Sequence, residues 1–170
     1  MPSNIEIKAR VDALEALTDR VRRLSDASAQ HLRQDDTFFH CAHGRLKLRD
    51  FGNGRGELIA YDRPDQAGPK ASHYRISETD DPDGLRAALS DALGVLGRVC
   101  KERQVIMVGR TRVHLDRVEG LGEFMELEVV LADDESPEDG QAEAETLMSE
   151  LGIGSGDLIE GAYLDLLLAR

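Results

Sequence analysis

Apolar and polar residues alternate along much of this chain with a period of two. In "SNIEIKARV" (3–11), Ile5, Ile7, Ala9 and Val11 fall on one face and Glu6, Lys8 and Arg10 on the other, the pattern of a β-strand with one apolar side. Similar runs follow in "GRLKLRD" (44–50), "GELIAYDR" (56–63), "SHYRISE" (72–78), "VCKERQVIMVG" (99–109), "TRVHLDRVEG" (111–120) and "EFMELEVVLA" (123–132). "QHLRQDDTFFH" (30–40) reads as a mixed strand with an irregularity at Asp35–Asp36. The spacing turns helical after Asp12, a predicted N-cap for Leu14, Leu17, Val21 and Leu24. It does so again after Asp81 or Asp83, with Pro82 near the first turn, through Leu85, Ala88, Leu89 and Leu93, and once more from Ala142 to Leu151. "GAYLDLLLAR" (161–170) is a last amphipathic segment. Gly52-Asn53-Gly54 and the "GLG" at 120–122 supply hairpin turns. About eight strands, mostly hairpin-connected, with three or four helices predict a single α+β domain over 1–170, built on one large antiparallel sheet.

The faces opposite the apolar residues are charged on strand after strand. They carry Glu6 and Lys8, then Arg45, Lys47 and Arg49, then Arg63, Arg75, Lys101 and Arg103, then Arg112, His114 and Asp116, and finally Glu126 and Glu128. Two architectures account for this. An open sheet with one wet face would pair opposite charges weakly across strands. A closed sheet would turn the charges into a lumen, where unpaired burial is costly and a ligand must help to compensate them. The bulky outward positions, among them Leu46, Leu48, Leu58, Ile106, Val108, Val113, Leu115, Leu127 and Val129, favour closure with helices packed outside.

Composition narrows the partners. The 170 residues carry 21 Lys+Arg against 33 Asp+Glu, a formal net charge of −12, which disfavours nucleic acid and anionic membranes as partners. "ADDESPEDGQAEAE" (132–145) alone holds seven acids and reads as a solvated loop and first helical turn. No apolar run is long enough to span a bilayer and no leader is evident, so a cytoplasmic location is expected. Cys41 and Cys100 form no disulfide framework, and "HCAH" (40–43) lacks a second cluster to complete a zinc site. Any anion site must be a local concentration of bases. The bases here form one large set, while carboxylates gather at Glu6, Asp116, Glu126 and Glu128. Glu126 and Glu128 share a face, about 7 Å apart by strand geometry, and their hard oxygens suit Mg²⁺ or Mn²⁺. Arginines and lysines beside such a cluster are what a metal–triphosphate complex requires.

"NIEIKARV", "GRLKLRDF", "RTRVHLDRVEGLGEFMELEVV" and the closing "GAYLDLLL" together resemble the CYTH superfamily, the triphosphate tunnel metalloenzymes, over nearly the whole chain. The resemblance implies an eight-stranded antiparallel closed β-barrel with flanking helices, whose tunnel takes a triphosphate and one or two divalent metals. The family's Glu-x-Glu-x-Lys signature falls on Asn4, Glu6 and Lys8, making Glu6 a metal ligand and Lys8 a phosphate contact. Lys47 and Arg49 match the basic pair of the third strand, Arg63 the base ending the fourth, Lys101 and Arg103 the bases of the long strand, and Arg112 a further tunnel base. Arg45, Arg75 and His114 are expected beside them, and Asp116, Glu126 and Glu128 match the acidic metal end. Tyr163 reads as packing. Two departures stand out: Asn4 replaces the first signature glutamate, and Gly161 stands where many members carry a lysine.

The resemblance is nearest to class IV adenylyl cyclases, which convert ATP to cAMP and pyrophosphate. Hydrolysis of tripolyphosphate or thiamine triphosphate is the alternative, and a non-catalytic nucleotide or polyphosphate sensor a third reading. Both a monomer and a homodimer are compatible with the sequence.

Overall fold

The computed structural model, which describes residues 3–62, 64 and 66–170, decides for closure. Its strands are β1 (Ser3–Arg10), β2 (Gln30–Phe39), β3 (Arg45–Asp50), β4 (Gly56–Asp62), β5 (Lys70–Thr79), β6 (Val95–Val108), β7 (Thr111–Val118) and β8 (Gly122–Val130). They pair in the order β1-β5-β4-β3-β2-β6-β7-β8 and back to β1, a closed antiparallel barrel. Closure satisfies every strand on both sides and leaves no edge to aggregate. The helices are α1 (Leu14–Leu24), α2 (Pro82–Leu93), α3 (Pro137–Glu150) and α4 (Tyr163–Leu168).

The core of the protein lies outside the barrel wall. Ile5, Ile7, Ile106, Val113, Leu115, Met125, Leu127 and Val129 point outward and pack against Leu14, Leu17 and Val21 of α1 and Ala144, Leu147 and Leu151 around α3. This explains the alternation: one set of strand positions feeds that core, and the other is turned into the lumen. Helix α2 packs over β2 and β3, where Arg86 bonds Thr37 Oγ1 at 3.2 Å and Asp50 at 2.8 Å. A second cluster of Phe38, Val99, Val118, Phe124, Tyr163 and Leu164 stops one end of the barrel beneath α4. Gly97 of β6 lets Leu164 lie directly on the backbone there.

Three local readings are corrected. Helix α1 begins without a side-chain cap at Ala13; Leu14 N donates instead to Glu123 Oε1 at 3.4 Å, so Asp12 is not its N-cap. Helix α3 starts at Pro137, earlier than Ala142, because Pro137 suits the first turn. Strand β6 starts at Val95, directly after the positive-φ Gly94. Asp81 is the cap of α2, its Oδ1 accepting from Gly84 N at 3.0 Å.

Gly140 marks the tightest contact of α3 with the barrel: a Cβ there would meet Leu131 Cδ2 at 2.5 Å and Ile5 Cγ1 at 2.8 Å. Gly140→Val is expected to lower stability by about 1–3 kcal/mol through overpacking. A denaturant midpoint equal to wild type would show that α3 is not seated this closely.

Candidate active site: a charged tunnel

The lumen is a cavity of about 390 Å³. Strand register fixes which charges meet in it, because directly opposite residues of an antiparallel pair share a face. Around one level run Lys8, Glu126, His114 and Val105; around the next, Glu6, Glu128 and Arg112. On the far wall Asp36 lies between Val99 and Arg49, and Phe38 beside Lys47 and Ile59.

Asp36 is the centre of the basic side. Its carboxylate accepts from Arg49 Nε and Nη2, both at 2.9 Å, and its Oδ2 also meets Lys47 Nζ and Lys101 Nζ, each at 3.2 Å. Burial opposes its ionisation, but Arg49, Lys101 and Lys47 outweigh it and hold the carboxyl well below the usual range. Burial also pushes Lys101 down to about 7; Asp36 resists that fall, while Arg49, Arg103 and Lys47 add to it. Lys47 is lowered for the same reason, burial first.

Next to this cluster, Arg103 forms a buried bidentate pair with Asp116, both bonds 2.7 Å, and Tyr163 Oη donates to Asp116 Oδ2 at 2.8 Å. Asp116 has no solvent exposure and does not line the lumen. The structure sets it apart from the other carboxylates expected to hold metal: both its oxygens accept from Arg103 or Tyr163, and it holds Arg103 in place. Arg103 Nη2 also lies 3.5 Å from Glu126 Oε1, and Lys8 Nζ lies 3.7 Å from the same oxygen. Lys8 Nζ sits 4.2 Å from the Tyr163 ring centre and donates to the Gly161 carbonyl at 3.1 Å. Tyr163 thus packs, as read from the sequence, and also orders this end of the clamp.

At the acidic side Glu6 and Glu128 stand directly opposite each other on β1 and β8, and Arg112 is hydrogen-bonded to Glu128. Two like charges opposed across a strand pair repel, and Arg112 beside Glu128 and Lys70 opposite Glu6 offset part of this. Asn4, two residues before Glu6, is buried, and its Oδ1 has no hydrogen-bond partner among the described residues. Among the described residues no three His, Cys, Asp or Glu side chains converge on one point. A set of two carboxylates and one amide oxygen nevertheless fits Mg²⁺ or Mn²⁺, because such ions keep several waters and take their remaining ligands from substrate phosphates. Burial works against ionisation of Glu128, but His114 and Arg112 hold its carboxyl low. Glu126 is likewise held well below its ordinary value, chiefly by Lys8 and Arg103 against burial.

Two expected tunnel bases lie elsewhere. Arg75 is exposed, because its neighbours Tyr74 and Ile76 line the lumen and strand alternation turns it outward. Arg45 is tied to Asp165 of α4. Arg63 lies outside the described residues. The sequence reading missed Asp36, hidden in an apparent irregularity, although Gln34, Asp36 and Phe38 keep period two. It also missed Lys70, which stands buried and opposite Glu6, its Nζ 2.9 Å from the Gln66 carbonyl.

Asp36, Asp116, Glu126 and Glu128 are all depressed, so the unfolded chain binds more protons as pH falls. The stability they contribute is fully present above the unfolded value of about 4 and is lost as pH drops through the folded values. From these carboxylates a melting temperature that falls steeply as pH drops below about 4 is expected; a level profile into that range would contradict it.

Comparison with known proteins agrees with this geometry. A family model described as the CYTH domain matches residues 3–163. The chain belongs to the CYTH domain family. Among solved structures, this CYTH protein resembles one from Pyrococcus horikoshii OT3, with 24% identity, 96% of this chain and 98% of that one covered, and a TM-score of 0.85. It also resembles a candidate adenylate cyclase of Vibrio parahaemolyticus, with 20% identity, 97% of each chain covered and a TM-score of 0.79. A candidate adenylyl cyclase of Hippeastrum, reported with a dominant triphosphatase activity, has 19% identity, 90% and 89% coverage and a TM-score of 0.62. At these identities the likeness carries the fold alone. No curated protein matches the sequence. No helix among the described residues of the CYTH barrel is long and apolar enough to cross a membrane.

Proposed function

We propose that this CYTH protein is a divalent-metal-dependent enzyme that binds a triphosphate in the tunnel and breaks a phosphoanhydride bond, with class IV adenylyl cyclase chemistry, ATP to cAMP and pyrophosphate, as the leading reading. The observation that carries it is the division of one lumen into a buried set of bases (Lys8, Lys47, Arg49, Lys101, Arg103) and a carboxylate pair, Glu6 and Glu128, beside the unpartnered Asn4 oxygen. The bases bind and straighten the phosphate chain, and Arg112 and His114 orient Glu128. A metal held by Glu6, Glu128 and Asn4 would neutralise charge on the phosphates and activate the nucleophile. Phe51, Tyr74 and Ile76 on the lumen wall offer apolar surface for a nucleoside, which favours ATP.

Hydrolysis of the terminal phosphate is a second reading, supported by the triphosphatase activity reported for the Hippeastrum relative. The clamp serves both reactions; which phosphorus meets the nucleophile separates them. The single domain spanning 1–170 and its supply of a triphosphate small molecule from solution belong to the same reading. The test is product analysis with ATP and, separately, tripolyphosphate, each with Mg²⁺ or Mn²⁺. cAMP plus pyrophosphate establishes the cyclase, orthophosphate without cAMP the triphosphatase, and no metal-dependent turnover in either sample refutes an enzyme of this class.

A further inference from the structure

Asp36 is the carboxylate on which the bases of β3 and β6 converge. Four donor contacts from three cations converge on it: Arg49 Nε on Oδ1, and Arg49 Nη2, Lys47 Nζ and Lys101 Nζ on Oδ2. Its side chain is 1% exposed, and that of Lys101 is 3% exposed. One negative charge against three positive ones leaves an excess in a buried place, whereas a fold needing only stability would do as well with apolar residues. The neighbouring lumen positions Val99, Phe38 and Ile59 are already apolar. Three donors crowd Oδ2, which offers only two lone pairs, and each ammonium retains further N–H groups for another acceptor.

We propose that Asp36 is a positioning residue of the phosphate clamp: it holds Lys47, Arg49 and Lys101 converged before the triphosphate arrives and passes N–H donors to the phosphate oxygens on binding. The inference rests on the triphosphate reading above. Without this carboxylate, cations from β2's neighbours β3 and β6 would repel one another, and the most buried ammonium would be the first to shed its proton. The groups facing Lys101 are Asp36 on β2, Lys47 and Arg49 on β3, Arg103 on its own strand, Asp116 on β7 and the Tyr163 ring at 5.7 Å. Burial pushes Lys101 down to about 7, so a polyanion held beside it favours the protonated form.

Calorimetric binding of inorganic tripolyphosphate to the whole chain, without divalent metal, tests this at about pH 6 and about pH 8, on either side of the Lys101 value. Wild type should bind with net proton uptake, seen as a dependence of the heat on buffer ionisation. Asp36→Asn should bind more weakly, and its shortfall should widen by about tenfold from the lower pH to the higher. Equal affinities for variant and wild type at both pH values overturn the proposal while leaving the triphosphate reading standing. So does an equal shortfall at both, which is the mark of a structural role. No binding by wild type overturns both. If Asp36→Asn does not fold, Lys101→Met decides: loss of proton uptake supports the coupling, and retained uptake sinks it.

Discussion

Glu128→Gln is expected to lower metal-dependent turnover by on the order of 10³-fold, a barrier change of about 4 kcal/mol of the kind lost with a metal's charge stabilisation. The substitution is isosteric and leaves an oxygen for Arg112 to meet, so the barrel should persist. What disappears is one of two opposed negative charges, Glu6 and Glu128, that make this level of the lumen receptive to a cation. Apart from Lys8 on β1, the bases of the phosphate clamp lie on β3 and β6, around Asp36 and Arg103. Affinity for tripolyphosphate in the absence of metal should therefore hold or improve, since a carboxylate near a polyanion has been neutralised. Steady-state kinetics with a parallel metal-free binding measurement separates the two effects: kcat falls while affinity does not. A variant that turns over at the wild-type rate would remove Glu128 from the metal end. Loss of metal-free binding would instead place it in the clamp.

The readable part of this site was whatever alternation alone determines. Lys8, Arg112, Glu6, Glu126 and Glu128 line the lumen because each sits out of phase with bulky apolar residues that face helices, and Lys47, Arg49, Lys101 and Arg103 line it by the same alternation of their strands. The same rule failed on β5. There Tyr74 and Ile76 face inward and Arg75 outward, since the core under α1 and α3 covers the outer faces of β1, β6, β7 and β8 but reaches β5 only at Ala71. Without a helix over it, an apolar residue there gains as much from the tunnel wall as from the outer surface. Asp36 was missed for a related reason: adjacent aspartates read as a break in a strand, but one turns outward to Arg98 and the other inward to three bases. Asp116 was legible as a lumen-side carboxylate and not as an anchor. That role depends on Tyr163, 47 residues away in sequence, closing the barrel end above it. Contacts made by the C-terminal helix carry no local pattern, so the pairing of Arg103 with Asp116 could not be separated from metal ligation by spacing.

That anchoring role predicts a large loss of stability from Arg103→Met. The variant leaves Asp116 fully buried with only the Tyr163 hydroxyl for a partner, and breaking a buried pair on one side costs about 3–5 kcal/mol. For a chain of this size the melting temperature should fall by about 6–20 °C. The pH dependence has a definite sign. In wild type, burial raises Asp116 but Arg103 outweighs it, so its carboxyl is depressed and stabilises the fold above the unfolded value. In the variant burial and the nearby Glu126 charge are opposed only by Lys101 and the Tyr163 hydroxyl, and the carboxyl rises above its unfolded value of about 3.9. The folded form then binds the extra proton, so the variant should regain stability on acidification. Its deficit against wild type should narrow from pH about 8 to about 5. Removing the second charge as well, in Arg103→Met/Asp116→Leu, should restore part of the loss, because an uncompensated carboxylate costs more than an apolar side chain in its place. A single variant as stable as wild type, or a deficit that widens on acidification, would mean that Asp116 does not depend on Arg103 and is free to take another cation.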